Sequence, residues 1–239
     1  MPDYYDNPKG FTLIELLISM CLSVVVMALV YSAFRAQIGS YRAQESVVDM
    51  MQNARTSMIY MQRAIRMSGF DPRRTAVAGF VADFAPPYSG LGVATNGASI
   101  AFTVDDNEDG AIDPNSAEMI AFRLDGSNQL QRFIIDPGTL SGGWETVAEN
   151  IDALDFVYLD GANPPNVLAP PLSAAELAAT RSVQVTVVAR TANASPLVKV
   201  KADKQVYRNQ QDDVLLNPGG DNFTRTAMSA HIFCRNLGL

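Results

Sequence analysis

The chain has 239 residues, of which 48% are hydrophobic and 18% are charged, and its formal net charge at pH 7 is −7. This length and hydrophobic content exclude a mostly disordered protein and predict one sizeable core or two small ones. The acidic balance excludes a general nucleic-acid binder, because phosphate recognition requires lysines and arginines clustered on one face.

Cysteine and histidine usage gives little support to redox or metal chemistry. The two cysteines are Cys21, inside a long apolar run, and Cys234, near the last residue. A thiol in a bilayer does not meet a thiol in a water-facing domain, so no intramolecular disulfide is expected. The single histidine, His231, and the lack of CxxC or HExxH spacing argue against zinc and haem sites.

An apolar segment runs from Phe11 to Phe34 and contains one charged residue, Glu15. About 20 apolar residues of helix cross the hydrocarbon core of a bilayer, so the segment predicts a membrane-spanning helix. A secretory signal peptide has a shorter apolar stretch, about 7–15 residues, with a small-residue cleavage site after it. Here the small residue, Gly10, precedes the run, which argues against that class.

Glu15 needs a partner, because an acid inside a spanning helix costs roughly 2.5–3.5 kcal/mol on insertion scales. Cleavage between Gly10 and Phe11 would create an α-amine four residues before Glu15, on the same helix face. Such an amine is mostly protonated at neutral pH. The acid would then have a cation to neutralise it, from its own chain or from a neighbour.

The residues around this junction resemble the prepilin processing motif of type IV pilins and type II secretion pseudopilins: Lys9-Gly10-Phe11-Thr12-Leu13-Ile14-Glu15-Leu16. The resemblance implies that prepilin peptidase cuts after Gly10 and that the new N-terminal Phe11 is N-methylated. It also implies that Glu15 aligns each subunit with a neighbour's N-terminus. The alternative is an ordinary signal anchor in which Glu15 lies near the headgroups by chance.

The helix is predicted to continue to Ser68 as an amphipathic segment over 35–68. No proline occurs between Phe11 and Asp71, and apolar residues recur at spacings of four and three, as on one helix face. The predicted buried stripe comprises Val47, Met51, Ala54, Met58, Met61 and Ile65. Gly69 and Pro72 supply a stop signal.

Residues 69–239 predict a β-rich globular domain, which begins with loop-like sequence at 86–90 and 95–97. The candidate strands are Ser99–Val104, Glu118–Leu124, Leu130–Ile135, Asp155–Leu159, Ser182–Arg190, Lys199–Val206 and Ala227–Phe233. A hairpin turn is predicted at 125–128, and a capping-box pattern at Ser173 and Glu176 predicts one short helix through Ala179. The expected fold class is α+β, with the long helix packed on an antiparallel sheet as in pilins.

Looser patterns in this domain resemble PilW-type minor pilins and J-type type II secretion pseudopilins. They lie at Trp144–Ile151, Arg181–Arg190 and Cys234–Leu237. Together with the N-terminal motif, the resemblance covers nearly the whole chain.

An acidic segment at 105–113 fits the first nine positions of the calcium-loop pattern D-x-[DN]-x-[DN]-G. The predicted ligands are the side chains of Asp105, Asn107, Asp109 and Asp113 and the carbonyl of Ala111. The twelfth position, where the pattern has an acid, is Ser116, and the nearest acid is Glu118. The alternative is a solvated acidic turn that needs no ion.

These features predict a minor type IV pilin subunit that takes part in pilus assembly or its initiation, and not an enzyme. No Ser/His/Asp set, recognisable pair of acids or phosphate loop supports an anchored periplasmic enzyme. Two alternatives stay open: a type II secretion pseudopilin, and a filament-displayed module for adhesion or DNA binding.

The predicted segments are a leader at 1–10, a transmembrane assembly helix at 11–34, its amphipathic continuation at 35–68 and the globular domain at 69–239. The expected partners are other pilin or pseudopilin subunits through the N-terminal helix, prepilin peptidase, the inner-membrane assembly platform, and the membrane before assembly. The precursor is expected in the bacterial inner membrane with its globular domain in the periplasm, and the mature chain in a pilus at the cell surface or in a pseudopilus.

Overall fold

The computed structural model of the protein describes residues 10–75, 78–84, 88, 97–113, 116–136, 141–194 and 202–237. The described chain divides into two compact units, Met1–Glu45 and Ser46–Leu239. Three sequence predictions lie outside the described residues, wholly or in part: the leader at 1–9, most of the loops at 86–90 and 95–97, and the strand residues 199–201.

The described residues form two helices and ten strands. The helices are α1 (Leu13–Met67) and α2 (Ala174–Ala179). The strands are β1 (Ser99–Thr103), β2 (Met119–Leu124), β3 (Leu130–Asp136), β4 (Ser141–Ala148), β5 (Ile151–Leu159), β6 (Val167–Leu168), β7 (Ser182–Arg190), β8 (Tyr207–Arg208), β9 (Val214–Leu216) and β10 (Arg225–Phe233).

The second unit contains two four-stranded sheets, and all strand pairs in them are antiparallel. The first sheet has the order β1-β2-β3-β4, so its strands follow one another along the chain. The second has the order β10-β7-β5-β6, and β8 and β9 form a separate pair. This architecture confirms the predicted α+β class and its antiparallel pairing.

The main core of the second unit lies between α1 residues and both sheets. Its α1 contribution is Met50, Ala54, Met58, Met61 and Ile65, with Val47 packed against the cluster. The predicted stripe is wrong at Met51, whose side chain is 45% exposed, whereas Met50 is buried. At 3.6 residues per turn, Met50 lies about 40° around the helix from the fully buried Ala54, whereas Met51 lies about 60° from it on the other side.

The polar Ser57 is also buried in this helix face. Its hydroxyl donates a hydrogen bond to the Asn53 carbonyl oxygen at 2.7 Å, which satisfies it within the helix.

The end of α1 is set by Gly69, as predicted. Its φ of +72° lies in the left-handed region, where a glycine carries no Cβ penalty. Its amide donates to the Thr103 carbonyl oxygen at 3.2 Å, which ties the helix end to β1. A Cβ at this position would collide with the Leu237 side chain, so the chain close to the C-terminus also packs here.

The strand predictions need correction at several places. The strands β4, β6, β8 and β9 were not among the predicted ones, and β5 begins at Ile151 rather than Asp155. The predicted strand at 199–206 is wrong over its described part, because residues 202–206 form only an isolated bridge between Asp203 and Asp221. Asp203 is held there by Arg225, whose Nη1 lies 3.1 Å from its Oδ2.

The local turn and cap predictions are confirmed. β2 and β3 pair across the predicted hairpin, where the Asp125 carboxylate accepts the Ser127 and Gln129 amides and Asn128 takes a positive φ of 60°. α2 begins after Ser173 with a complete capping box to Glu176.

Candidate processing and assembly site

The predicted processing junction lies just outside the helix. Gly10, Phe11 and Thr12 are not helical, α1 begins at Leu13, and the Phe11 side chain is 86% exposed. The first intrahelical bond runs from the Leu16 amide to the Thr12 carbonyl oxygen at 3.2 Å. The Gly10–Phe11 junction therefore lies outside the helix and is exposed in this structure.

Glu15 forms a capping box with Thr12 at the start of α1. The Thr12 backbone N–H and the Thr12 hydroxyl both donate to Glu15 Oε2, each at 2.9 Å. In return, the Glu15 amide donates to Thr12 Oγ1 at 3.3 Å. Two backbone N–H groups that the helix leaves without intrahelical partners are thereby satisfied, with a stabilisation of about 0.5–2 kcal/mol for a cap of this kind.

The first unit exposes its apolar side chains along the whole of the predicted spanning segment. Every residue from Gly10 to Ile38 is exposed in the isolated chain. Within the described residues, α1 is the helix that is long and apolar enough to cross a membrane. Such a surface requires lipid or other apolar helices around it, since soluble monomers rarely expose large contiguous apolar patches.

Thr12 is the residue that sequence reasoning missed. The pattern Thr12-x-x-Glu15 is the same S/T-x-x-E signal that predicted the α2 cap at Ser173 and Glu176. The two boxes have closely similar geometry, because Ser173 donates to Glu176 Oε2 from its backbone N–H at 2.7 Å and from its hydroxyl at 2.6 Å. The signal was thus present in the sequence at both helix starts.

The predicted calcium loop is closed by hydrogen bonds between its acids and its own backbone. Asp105 is buried, and its carboxylate accepts the Asp109 amide at 3.1 Å and the Gly110 amide at 3.0 Å. Asn107 Oδ1 accepts the Asp109 amide, and Asp109 Oδ1 accepts the Ala111 amide. Gly110 has a positive φ of 83°, as the sharp turn of the pattern requires.

Glu118 joins this loop although it lies beyond the pattern. Its side chain is almost fully buried, and it accepts the Asn107 amide at 3.4 Å and the Asp113 amide at 2.7 Å. Two buried carboxylates, Asp105 and Glu118, are thus compensated by backbone N–H groups. In the part of the chain that the structure describes, no three Asp, Glu, His or Cys side chains converge as a ready metal site. Calcium binding at this loop stays a prediction.

The single histidine and the two cysteines have the following surroundings in the structure. His231 lies on β10, where its Nε2 is 2.8 Å from the Ser182 hydroxyl. Cys21 and Cys234 are both free thiols. Burial raises the pKa of the Cys234 thiol to about 11, which keeps it protonated and unreactive at neutral pH.

Comparison with protein families gives two matches. The family described as prepilin peptidase-dependent protein B matches residues 44–208, and the prokaryotic N-terminal methylation motif matches residues 6–31. Comparison with curated proteins and with solved structures gives no match. The first match spans most of the chain, and the second contains the Gly10–Phe11 junction and Glu15. The chain therefore belongs to the prepilin peptidase-dependent protein B family and carries the N-terminal methylation motif of prepilin-type pilins.

Proposed function

We propose that this protein is a minor type IV pilin subunit that prepilin peptidase cleaves between Gly10 and Phe11. Phe11 then becomes the N-methylated N-terminus, and α1 inserts the subunit into a membrane-initiated filament. The observation that carries the proposal is the coincidence of three features at one helix start: the methylation motif at 6–31, an exposed Gly10–Phe11 junction outside the helix, and a single acid, Glu15, in the exposed apolar segment 11–34.

The mechanism uses the charge that cleavage creates. Before cleavage, the segment after Phe11 lies in the inner membrane with the second unit on the periplasmic side. Cleavage leaves an amine at Phe11, and a carboxylate in a low-dielectric environment pairs strongly with such a cation. Pairing between Glu15 of one subunit and the amine of another fixes the axial offset of neighbouring helices, while the exposed apolar side chains pack between subunits in place of lipid.

The test is the variant Glu15→Ala in the full-length precursor, produced in cells that assemble the filament. We expect membrane insertion and cleavage to be retained and the subunit to be lost from sheared filament fractions. The control is Ser23→Ala in the same helix, because the Ser23 hydroxyl bonds the Ser19 carbonyl oxygen of its own helix and needs no partner chain. Incorporation of the Glu15→Ala subunit at the level of this control would refute the proposed role.

A gene deletion separates the pilus from the secretion alternative, since both classes share the leader and the helix. Surface pili, twitching motility and secreted protein are scored side by side in the deletion strain and in the complemented strain. A minor pilin predicts loss of pili and twitching with normal secretion. Loss of secretion alone would assign the protein to a type II secretion pseudopilus.

A further inference from the structure

We propose that the outer edge of β10 is a docking site for an extended strand of another protein, which adds to the second sheet as a further antiparallel strand. The partner strand is neutral along its middle and carries an acid at its N-terminal end. This inference concerns the second unit alone and does not rest on the proposed role of Glu15.

Every second residue of β10 turns its backbone N–H and C=O groups away from the sheet. β10 pairs with β7 from Arg225 to Phe233 without a register shift. At one end of this ladder the Thr191 amide donates to the Thr224 carbonyl oxygen, and at the other end the Cys234 amide donates to the Arg181 carbonyl oxygen. Hydrogen-bonded and non-hydrogen-bonded pairs alternate in an antiparallel ladder, so the even-numbered residues of β10 bond to β7. The odd-numbered residues face the outer edge: Ala227, Ser229, His231 and Phe233.

These four edge residues are accessible from solvent. All four are exposed, and β10 is the last strand of its sheet. Among the residues that the structure describes, no hydrogen bond reaches their backbone groups from outside the β7 ladder. Four N–H donors and four C=O acceptors are therefore available to an added strand, and such main-chain bonds are the source of affinity in strand addition.

The other sheet edges carry protections that β10 lacks. The opposite edge of the second sheet is β6, which has two residues. In the first sheet, β1 is covered where the Val81 amide donates to the Ala101 carbonyl oxygen, and β4 carries the exposed Glu145 and a register shift against β3. Short, covered, charged or bulged edges are the usual defences against unwanted pairing. β10 contains no charged residue and no proline from Thr226 to Phe233, so its edge is suited to pairing.

The side chains beside this edge change in size along β10. Ala227 and Ser229 are small, whereas the rings of His231 and Phe233 stack with their centroids 4.5 Å apart. The Phe233 side chain is 63% exposed. Directly opposite residues of an antiparallel pair place their side chains on the same face. A partner strand therefore fits best with small side chains opposite the two rings and large ones opposite Ala227 and Ser229.

The charges at the two ends of β10 give the partner strand a direction. Arg235 follows β10, is exposed, and forms no salt bridge with any described residue. Arg225, at the other end, already contacts three aspartates. An antiparallel partner would meet the unpaired cation of Arg235 at its own N-terminal end, where an acid is favourable. A second copy of β10 offers no acid at that point, because its first residue is Arg225.

The probe is a nine-residue peptide with this pattern, whose binding to the full chain in detergent is followed by fluorescence anisotropy. Its first residue is an aspartate, its third and fifth are alanine and serine, and its seventh and ninth are tyrosine and phenylalanine. Its even residues are threonines, which favour extended backbone. Two control peptides are N-methylated, one at residues three and five, whose N–H groups face β10, and one at residues four and six, whose N–H groups face away.

We expect saturable binding of the unmethylated peptide. Methylation at residues three and five should weaken binding by at least about tenfold, because two backbone hydrogen bonds are lost. Methylation at residues four and six should leave the affinity within about twofold, since those N–H groups make no bond to β10. Arg235→Glu should weaken binding about fivefold, and a peptide that begins with lysine should recover the loss on this variant.

A second pair of variants tests which edge is used. Ala227→Lys places on β10 the charge that natural edge strands use to prevent pairing. Thr146→Lys places the same charge at an exposed position of β4, the edge strand of the first sheet. We expect peptide binding to be lost in Ala227→Lys and kept in Thr146→Lys. The melting temperatures of both variants check that they are folded, and the methylated peptides test the wild-type chain without any substitution.

Several results would overturn the proposal. They are absence of peptide binding, equal effects of the two methylation patterns, and equal losses in Ala227→Lys and Thr146→Lys. A dimer of the wild-type chain, seen by light scattering and dissociated by Ala227→Lys, would assign the edge to a second copy and not to a different protein. Peptide binding requires no filament, so its failure would leave the Glu15→Ala test of the proposed function unaffected.

Discussion

The Arg225 guanidinium on β10 lies 2.6 Å from the Asp152 carboxylate on β5, measured from Nε to Oδ2, and both side chains are nearly buried. The same guanidinium contacts Asp203 at 3.1 Å and Asp221 at 2.6 Å. One arginine thus joins the second sheet to the segment that precedes β8 and to the turn that precedes β10.

The first prediction concerns the loss of this arginine. Arg225→Met should lower the free energy of unfolding by about 3 kcal/mol, because the nearly buried Asp203 loses its cation, whereas Asp152 keeps its salt bridge to Arg190 and Asp221 is partly exposed. The measurement is denaturant or thermal unfolding of the full chain in detergent. Arg208→Met is the matched control, since its pair with Asp212 is solvent-exposed and is worth less than about 1 kcal/mol. Equal losses in the two variants would contradict the assigned role of Arg225.

The second prediction concerns Gly142 on β4. A Cβ at this position would lie 2.6 Å from Tyr88 Cε1 and closer still to the Phe133 ring. Gly142→Ala should therefore destabilise the second unit by about 1–3 kcal/mol through overpacking. Gly143→Ala is the control, because no atom lies within 4 Å of its added Cβ. Gly142→Ala should have the lower unfolding midpoint of the two variants. A lower midpoint for Gly143→Ala would contradict the packing described for β4.

Gly142 also explains why β4 escaped prediction from the sequence. Two adjacent glycines are typical of a turn, but here the missing Cβ admits the Phe133 and Tyr88 rings against the strand. By contrast, β7 was predicted with its observed bounds, because Val183, Val185 and Val187 alternate with polar residues and all three are buried. A strand that follows from alternating apolar and polar residues can be predicted from the sequence. A strand that depends on contacts with aromatic rings elsewhere in the chain cannot.

The same distinction applies to the strand predicted at 199–206. Alternation there suggests a strand, but its described part is organised by the contact of Asp203 with Arg225, which is remote in sequence. At the candidate site, the Thr12 cap is local and was available from the S/T-x-x-E pattern. The contact of Glu118 with the loop amides could not be predicted from the sequence. It depends on how the chain enters β2 beside the loop, and not on a fixed spacing.

The third prediction concerns pH. Burial raises the pKa of the Asp155 carboxyl above its usual range, despite a hydrogen bond from Asn209, and the nearby Asp213 charge adds to the rise. A carboxyl with a raised folded-state pKa binds its proton more tightly in the folded chain. Its charge therefore costs stability at neutral pH, and the cost disappears as pH falls through the folded-state pKa.

Asp155→Asn should accordingly raise the melting temperature at pH 7, with a gain that shrinks as the pH is lowered. Asp160→Asn is a control of opposite sign, because hydrogen bonds from Asn166 and Ala162 lower the pKa of the exposed Asp160 carboxyl. The stabilisation that the Asp160 carboxylate contributes is present above the unfolded-state pKa and is lost as pH falls through the folded-state pKa. Thermal unfolding from pH 7 to acid distinguishes the two, and a gain for Asp155→Asn that is independent of pH would contradict the stated cause.

The fourth prediction concerns calcium at the 105–113 loop. The buried Asp105 and Glu118 carboxylates are met by backbone amides, and no basic side chain forms a salt bridge with either within the described residues. A divalent cation would neutralise this charge, and Glu118 is the acid available in place of the residue that the pattern lacks. We expect calcium to stabilise the folded chain by about 2.7 kcal/mol when its concentration is 100 times its dissociation constant. The melting temperature of the full chain should rise accordingly.

Two charge-matched variants decide this prediction. Asp109→Asn keeps an oxygen for the Ala111 amide, which Asp109 Oδ1 accepts at 2.8 Å, but removes a ligand charge. Asp106→Asn removes the same charge from an exposed position that the pattern does not use as a ligand. The calcium response should weaken in Asp109→Asn and persist in Asp106→Asn, with magnesium as the comparison ion. The calcium hypothesis is wrong if the wild type does not respond to calcium, or if the response weakens equally in the two variants. The loop is then an acidic turn that binds no ion, because hydrogen bonds from its own amides account for the placement of its carboxylates.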